Sequence, residues 1–565
     1  MYMKKILAGA LIVLVGIGVI SFKEDDRNFQ IAKNLDLFNS IFKELDMFYV
    51  DTIDAEKMIQ NGVRGMLALT DPYTEYYPEE EMSSVKELTT GKYGGIGAAI
   101  RYYEAKDRIA VIEPTEGMPA AEAGVKAGDI ILAVGGKEMV RGDMKPQDFS
   151  EKVSQALRGE PGTSFILKVM RPLKNDSTIL EFKITRKSIR TNPVPYYGMV
   201  RDSIGYLALS SFTENCSKDF KKAFIELKQK GAKALILDLR DNGGGSLSEA
   251  IDIVNFFVPK GQEIVVTKGK LKQAQGSYKT ENEPIDTKIP LAVLVNGGSA
   301  SASEIVSGSL QDLDRAVIIG TRTYGKGLVQ TIRPLPYNGT LKVTTSKYYI
   351  PSGRCIQAID YAKKNADGSV ARTPDSLTNV FHTAAGREVR DGGGIRPDIE
   401  VKGDRIPNIV FYLMNEDIIF DYATQYCWDH PTMESVESFK LTDEDYRTFK
   451  ELVKSRDFTY DRQSEKMLKS LKEVAEFEGY MEGASEEFKA LEKKLNHNLD
   501  RDLDYFSKQI KTYIAQEIVT RYFYQRGAAM ERLKDDEDLG KAISVLKDGK
   551  QYSEILSVKK TPEAK

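Results

Sequence analysis

"PLAVLVNGGSASASEIVSGSLQD" (residues 290–312) passes from an apolar run through a Gly-Gly turn into a stretch where Ile305, Val306, Leu310 and then Leu313 recur at helical spacing. The reading is strand, turn, helix, with Ser299, Ser301 and Ser303 at alternate positions across the junction. The same unit recurs on both sides. "IGYLALSSF" (204–212), "AFIELKQKG" (223–231), "ALILDLRDNGGG" (234–245), "LSEAIDIVNFF" (247–257) and "RAVIIGT" (315–321) complete the order β, α, β, α, β, α, β. Such alternation predicts crossover units around buried, largely parallel strands. In open sheets of this class a site lies beyond the carboxyl ends of the strands, and two Gly-rich turns sit there, after Asp238-Leu239 and after Val295.

With 565 residues the chain exceeds a single core, so an α/β multidomain architecture is expected around this core, taken as 191–404. Upstream, 91–190 changes character: "RIAVIEP", "DIILAVGG", "FILKVMR" and "ILEFKITR" read as strands, and "DFSEKVSQALRG" as a helix burying Phe149, Val153 and Leu157. That is a small mixed β domain. Residues 26–90 read as amphipathic helices, with Ile31, Leu35, Leu37, Phe38, Ile41, Phe42 and Leu45 recurring on one face. Residues 405–565 are charged and helix-forming, a region for packing, oligomerisation or partner docking.

Residues 1–25 carry Lys4 and Lys5 before an uncharged run from Ile6 to Phe22, which reads as a signal peptide or N-terminal membrane anchor. No small-residue cleavage site precedes Lys23, so an uncleaved anchor is favoured, with the remainder outside the inner membrane of a bacterial envelope. A charge of -3, from 80 basic and 83 acidic residues, argues against a nucleic-acid partner. Cys216, Cys355 and Cys427 lack metal or redox spacing, so neither a metal site nor a disulfide framework is expected.

A serine at a helix mouth gains from backbone N–H groups and the positive end of the macrodipole. Ser301 occupies that position, although all three serines could equally be caps and small packing residues. A serine also needs a base. Of His382, His430 and His497, only His382 lies outside the helical tail; Lys326, in "TRTYGKGLVQ", is the other candidate, with Gln330 four residues on to orient it. A lysine base near neutral pH needs its pKa lowered by about 3 units from about 10.4, which requires burial. Gly244 or Gly245 could join Ala302 in offering N–H groups to an oxyanion. A phosphate cradle competes, but no G-x-G-x-x-G or P-loop spacing is present. Residue types alone leave these alternatives open.

Taken together, "GGIGAAI" (94–100), "GMPAAEAGVKAGDIILAVGG" (117–136), "LILDLRDNGGG" (235–245), "NGGSASASEIVSGSLQD" (296–312), "GTRTYGKGLVQ" (320–330), "PSGRCIQ" (351–357) and "GGGIRPDI" (392–399) resemble the C-terminal processing, or tail-specific, serine peptidases with an inserted PDZ domain. The resemblance spans roughly 30–404 and implies a crotonase/Clp-like α/β peptidase core with a PDZ domain over 91–190. It implies a Ser301/Lys326 dyad, positioning of the lysine by Gln330, oxyanion donors at Gly244, Gly245 and Ala302, and a supporting place for Asp312. Histidine then has no role. The PDZ loop Tyr93-Gly94-Gly95-Ile96-Gly97 would hold a peptide carboxylate, and Arg171 resembles an arginine that senses the engaged PDZ state. The expected activity is endoproteolysis of proteins with free apolar C-termini, without a cofactor. The competing expectations are an inactive PDZ adaptor tethered in the envelope and acyl-thioester chemistry on the same core type. Helices at both ends are compatible with self-association or an adaptor protein.

Overall fold

The computed structural model describes residues 26–557 apart from 175, 202, 362, 364, 366–368, 403–405 and 496–497. The anchor segment 1–25, with Lys4 and Lys5, lies outside the described residues, as does His497. Among the described residues no helix is long and apolar enough to cross a membrane.

The chain divides into two compact units, the first ending at Tyr77 and taking in Ile332–Val343, the second holding the rest. In the first, a helix over 26–48 is followed by Ala55–Ala68, whose N-cap Asp54 accepts the Lys57 N–H. The strand Glu75–Tyr77 pairs antiparallel with 340–342. The apolar stripe read from the sequence is present, but Ile31, Leu35, Leu37, Phe38 and Ile41 are exposed.

In the second unit, Ala234–Asp238, Leu291–Val295 and Val317–Gly320 form the centre of a six-stranded sheet. Ile204–Ala208 and Ile399–Glu400 extend it in parallel, and Tyr197–Arg201 closes one edge antiparallel. The three central strands are buried at every residue because both faces are covered. Side chains alternate between the faces. Leu235, Leu237, Leu291 and Val293 pack with the helices Cys216–Gln229, Leu247–Asn255 and Ala302–Asp312. Ala234, Ile236, Leu294 and Ile319 pack instead against Leu539, Ala542 and Val545 of Glu537–Lys547. The C-terminal helical region thus supplies one wall of the core, and each fully buried Leu or Val there contributes on the order of 1.5–3 kcal/mol. Strands unread in the sequence, Glu263–Gly269 and Gly276–Lys279, form a hairpin beside this core.

An antiparallel sheet over 98–185 has the order Ala98–Tyr103, Arg108–Pro114, Ile130–Val134, Ser164–Pro172, Ser177–Thr185. Its helix Pro146–Leu157 buries Phe149, Val153 and Leu157. A ribbon pairing Lys92–Gly95 with Lys187–Arg190 closes its entry and exit. This domain meets the helix Ile418–Asp429 through Tyr103, whose hydroxyl donates to Asp421 at 2.9 Å, and through an ion pair of Arg101 with Asp417.

Candidate functional site

The register aligns Asp238 with Leu294 and Val295 with Gly320, so the turns that leave these strands meet at one end of the sheet. The serines sort themselves by what they touch. Ser299, fully buried, donates to the Leu239 carbonyl at 2.7 Å and accepts the Asn296 N–H at 3.0 Å. Ser303, also fully buried, donates to the Asn242 carbonyl at 2.7 Å. Both fasten the glycine turn to the serine turn. Ser301 between them is partly exposed.

Ser301 is the N-cap of Ala302–Asp312, with φ 55° and ψ −112°. A non-glycine residue in that region costs on the order of 1–3 kcal/mol unless its surroundings hold it. Here Glu304 reaches back to accept the Ser301 N–H at 2.9 Å, and the Ser301 carbonyl accepts the Glu304 N–H at 2.9 Å. Ala302 opens the helix, where N–H groups have no intrahelical partner and the dipole favours negative charge. Gly244, at φ 100°, lies so close that a Cβ would stand 2.8 Å from Ser301 Cβ and 2.9 Å from Ala302 N. Only glycine fits there. Its N–H is donated to Asn242 Oδ1 at 2.9 Å, and Gly245 packs against the Phe212 carbonyl.

Lys326 is half-buried in the third turn. Its N–H and that of Gly325 donate to Glu304 at 2.9 and 2.7 Å, and the Thr323 hydroxyl adds a third donor at 2.5 Å. Glu304 is fully buried, and burial pushes its carboxyl up to about 7 against these hydrogen bonds. Tyr348, 1 % exposed, donates its hydroxyl to the Lys326 carbonyl at 2.7 Å and the Ser301 carbonyl at 3.2 Å. Ser301 and Lys326 are therefore fastened together through their backbones by one buried acid and one buried phenol. Gln330, in the strand Leu328–Pro334, donates its amide to Thr344 Oγ1 at 3.1 Å.

The helix Ala302–Asp312 was expected to bury one face, but every one of its residues is buried. Segments around 323–325, 350–354 and 395 enclose it, and its polar side chains are paired: Ser307 with the Ser303 carbonyl, Gln311 with the Arg396 carbonyl, Asp312 with Arg354 at 2.8 Å. Asp312 stands at the far end, about 16 Å of helix from Ser301. His382 belongs to the same far end, since Ala384 in its hairpin donates to the Asp312 carbonyl. A cavity of about 330 Å³ lined by Arg354, Arg387, Arg390 and Asp398 also lies there, away from Ser301. Among the described residues no group of three or more His, Cys, Asp or Glu side chains could hold a metal ion.

Arg171 forks onto Asp129 at 2.7 Å with both nitrogens and caps the Gly124 carbonyl at 2.8 Å, within the 98–185 domain. In the loop Tyr93-Gly94-Gly95-Ile96-Gly97, the carbonyls of Gly94, Ile96 and Gly97 accept from Gly159, Ala120 and Thr115. Sequence reading passed over Glu304, although Ser301-x-x-Glu304 has the spacing of a capping box. Tyr348 carried no such signal.

Three family models match: peptidase family S41 over 203–363, a PDZ domain over 111–171, and the C-terminal helical domain of a probable PDZ-protease over 409–546. A carboxy-terminal-processing protease of Bartonella bacilliformis is 40% identical over 331 residues, 58% of this chain and 73% of that protein. A probable CtpA-like serine protease of Staphylococcus epidermidis is 34% identical over 357 residues, 62% of this chain and 69% of that one. Among solved structures, a photosystem II D1 C-terminal processing protease is 27% identical, covers 66% of this chain and 94% of its own, and aligns at a TM-score of 0.35.

Proposed function

The chain belongs to the carboxy-terminal-processing proteases of peptidase family S41, and from that premise we propose that it is a serine endopeptidase working through a Ser301/Lys326 dyad. The observation that carries this reading is the shared tethering of Ser301 and Lys326 by Glu304 and Tyr348. Ser301 Oγ attacks the scissile carbonyl while neutral Lys326 Nζ takes its proton. The tetrahedral oxyanion is met by the Ala302 N–H and a glycine N–H of the 243–245 turn. For Gly244 to be that donor, Asn242 Oδ1 has to release it; Gly245 is the alternative. Lys326 then returns the proton to the leaving amine, and water, deprotonated by the same lysine, hydrolyses the acyl-enzyme. In this reading Gln330, whose amide donates to Thr344, orients Lys326 through its Oε1.

A protease with a PDZ domain acts on protein or peptide substrates. The finer reading is that free apolar C-termini add as a strand to Ala98–Tyr103, at the edge of its sheet, with the carboxylate at Tyr93–Gly97. Trans peptide planes support this. With the Ile96 and Gly97 carbonyls turned to Ala120 and Thr115, the N–H groups of Gly97 and Ala98 face the opposite way. Arg171, committed to Asp129, would act on gating only by keeping this domain's turn in place. Activity on the outer side of a bacterial inner membrane, and self-association, are read from the terminal segments alone.

The test is incubation with an unstructured protein ending in a free apolar C-terminus. Fragments should form with the unmodified chain and vanish in Ser301→Ala and in Lys326→Ala. Fragments persisting in both would overturn the dyad.

A further inference from the structure

Arg240 directly precedes the Asp241–Gly245 turn, and three carboxylates surround its guanidinium. Its Nε contacts both oxygens of Asp238 at 3.0 and 3.1 Å; Nη2 reaches Asp238 and Asp536, each at 2.6 Å; Nη1 reaches Asp536 at 3.1 Å and Asp538 at 3.0 Å. Asp238 Oδ1 also accepts the Arg240 N–H, and Asp238 Oδ2 the Tyr206 hydroxyl. Only the five-donor fork of an arginine can serve so many acceptors at once.

Two of the three carboxylates come from far along the chain. Asp536 caps the helix Glu537–Lys547 by accepting the Leu539 N–H at 2.9 Å, and that helix is seated on the sheet through Leu539, Ala542 and Val545. The acids are thus placed by packing against the strands that carry the site. From Arg240 the chain runs straight into the turn that Ser299 and Ser303 fasten and that Gly244 presses against Ser301. Displacements of about 1 Å in such a turn cost roughly 10²-fold in rate.

We infer that Asp536 and Asp538 are positioning residues for peptide-bond cleavage: through Arg240 they hold the Asp241–Gly245 turn where its N–H groups meet the tetrahedral oxyanion at Ser301. The helical region is then a working part of the active site. The inference rests on the dyad reading above.

The test uses the full chain with Asp536→Asn, Asp538→Asn and the double substitution. Asparagine caps a helix as well as aspartate does, so the Glu537–Lys547 helix keeps its start while the negative charge facing Arg240 is lost. The readouts are kcat and KM on a peptide substrate, affinity for a peptide aldehyde whose adduct with Ser301 is tetrahedral, affinity for a product peptide, and Tm. The expected result for the double variant is a kcat at least ten-fold lower and aldehyde affinity lowered in parallel, with KM and product affinity within two-fold. Unchanged kcat and aldehyde affinity, or equal losses in aldehyde and product affinity, would overturn it. If the double variant melts below the assay temperature, Asp538→Asn alone decides by the same ratio. Ser301→Ala run alongside separates the two readings: if it still cleaves, the dyad falls; if it is inert while the double variant is fully active, only the positioning role falls.

Discussion

Glu304 and Tyr348 hold the same two stretches of backbone with opposite chemistry: the acid accepts the N–H groups of Ser301 and Lys326, and the phenol donates to their carbonyls. The positions of the proposed nucleophile and base are therefore set by main chain.

Replacing Ser301 should accordingly separate activity from stability. Ser301→Ala is expected to abolish cleavage while changing unfolding free energy by less than about 1 kcal/mol. Ser299→Ala should do the reverse. It removes the acceptor of the part-buried Asn296 N–H and the donor to the buried Leu239 carbonyl, costing about 1–3 kcal/mol, with residual cleavage. Urea unfolding and peptide cleavage on the same samples give both numbers; equal stability losses in the two variants would contradict this division.

Glu304 offers a graded prediction because its oxygens face different partners. Oε2 takes Ser301 and Lys326; Oε1 takes Thr323 and Gly325. In Glu304→Gln the amide oxygen can keep the Ser301 and Lys326 N–H groups while the NH₂ donates to Thr323, so that the Gly325 N–H and the Thr323 hydroxyl hydrogen lose this acceptor. Glu304→Ala orphans every one. The expected losses in kcat are under ten-fold for Gln and over a hundred-fold for Ala, at about 1–3 kcal/mol of stability per orphaned buried donor.

The same carboxyl gives stability a pH dependence of definite sign. Its folded pKa, pushed up to about 7 by burial, lies above the usual carboxylate value, so between those values the folded chain binds more protons than the unfolded one. This contribution is fully present below the unfolded pKa and is lost as pH rises through about 7. It amounts to about 3 kcal/mol. Subtracting the Glu304→Gln profile from that of the unmodified chain should isolate the slope; a difference that does not vary between pH 4.5 and 7.5 would contradict it.

Much of this was readable in the sequence where local pattern and burial agree. Ala234–Asp238 and Leu291–Val295 are continuous apolar runs because helices cover both faces, and the Gly-Ser turns announce a site at their ends. Ser301 among the three serines, and Gly244 beside Gly245, are singled out by the family resemblance and not by local pattern. Glu304 could have been found from its three-residue spacing, but its reach to Lys326 depends on how a separate turn docks. Tyr348 lies 47 residues from Ser301, and Asp536 lies 296 from Arg240. No periodicity encodes such separations. Asp312 illustrates the converse: a matched motif residue whose partner, Arg354, marks it as a packing element.

That buried pair makes its own prediction. Arg354 and Asp312 are both at most 1 % exposed, so Arg354→Met strands a carboxylate in the core and should destabilise by about 3–5 kcal/mol. Arg354→Met with Asp312→Leu removes both charges and should recover most of that loss. Denaturant unfolding of the single and double variants measures the coupling. If Asp312 supports the scaffold only, the double variant keeps its kcat within a few-fold at a temperature where it is folded.

The contact between the PDZ domain and the helix Ile418–Asp429 shares a strand with the proposed peptide site. Arg101 and Tyr103 end the edge strand Ala98–Tyr103; Arg101 pairs with Asp417, and Tyr103 donates to Asp421, which Arg456 also holds at 2.7 Å. Tyr103→Phe removes one of two donors to Asp421 and should weaken docking by about 1 kcal/mol. Arg101→Gln does more, because burial already pushes the Asp417 carboxyl up to about 6 and Arg101 is the charge that opposes this. Without it, Asp417 is protonated at higher pH, and the two surfaces separate more readily. Hydrogen exchange should therefore quicken together in 98–103 and 418–429 and stay slow in Ala234–Asp238. Acceleration in all three segments would mean that the contact supports the whole unit; acceleration in neither of the first two would mean that these pairs do not hold the PDZ domain in place.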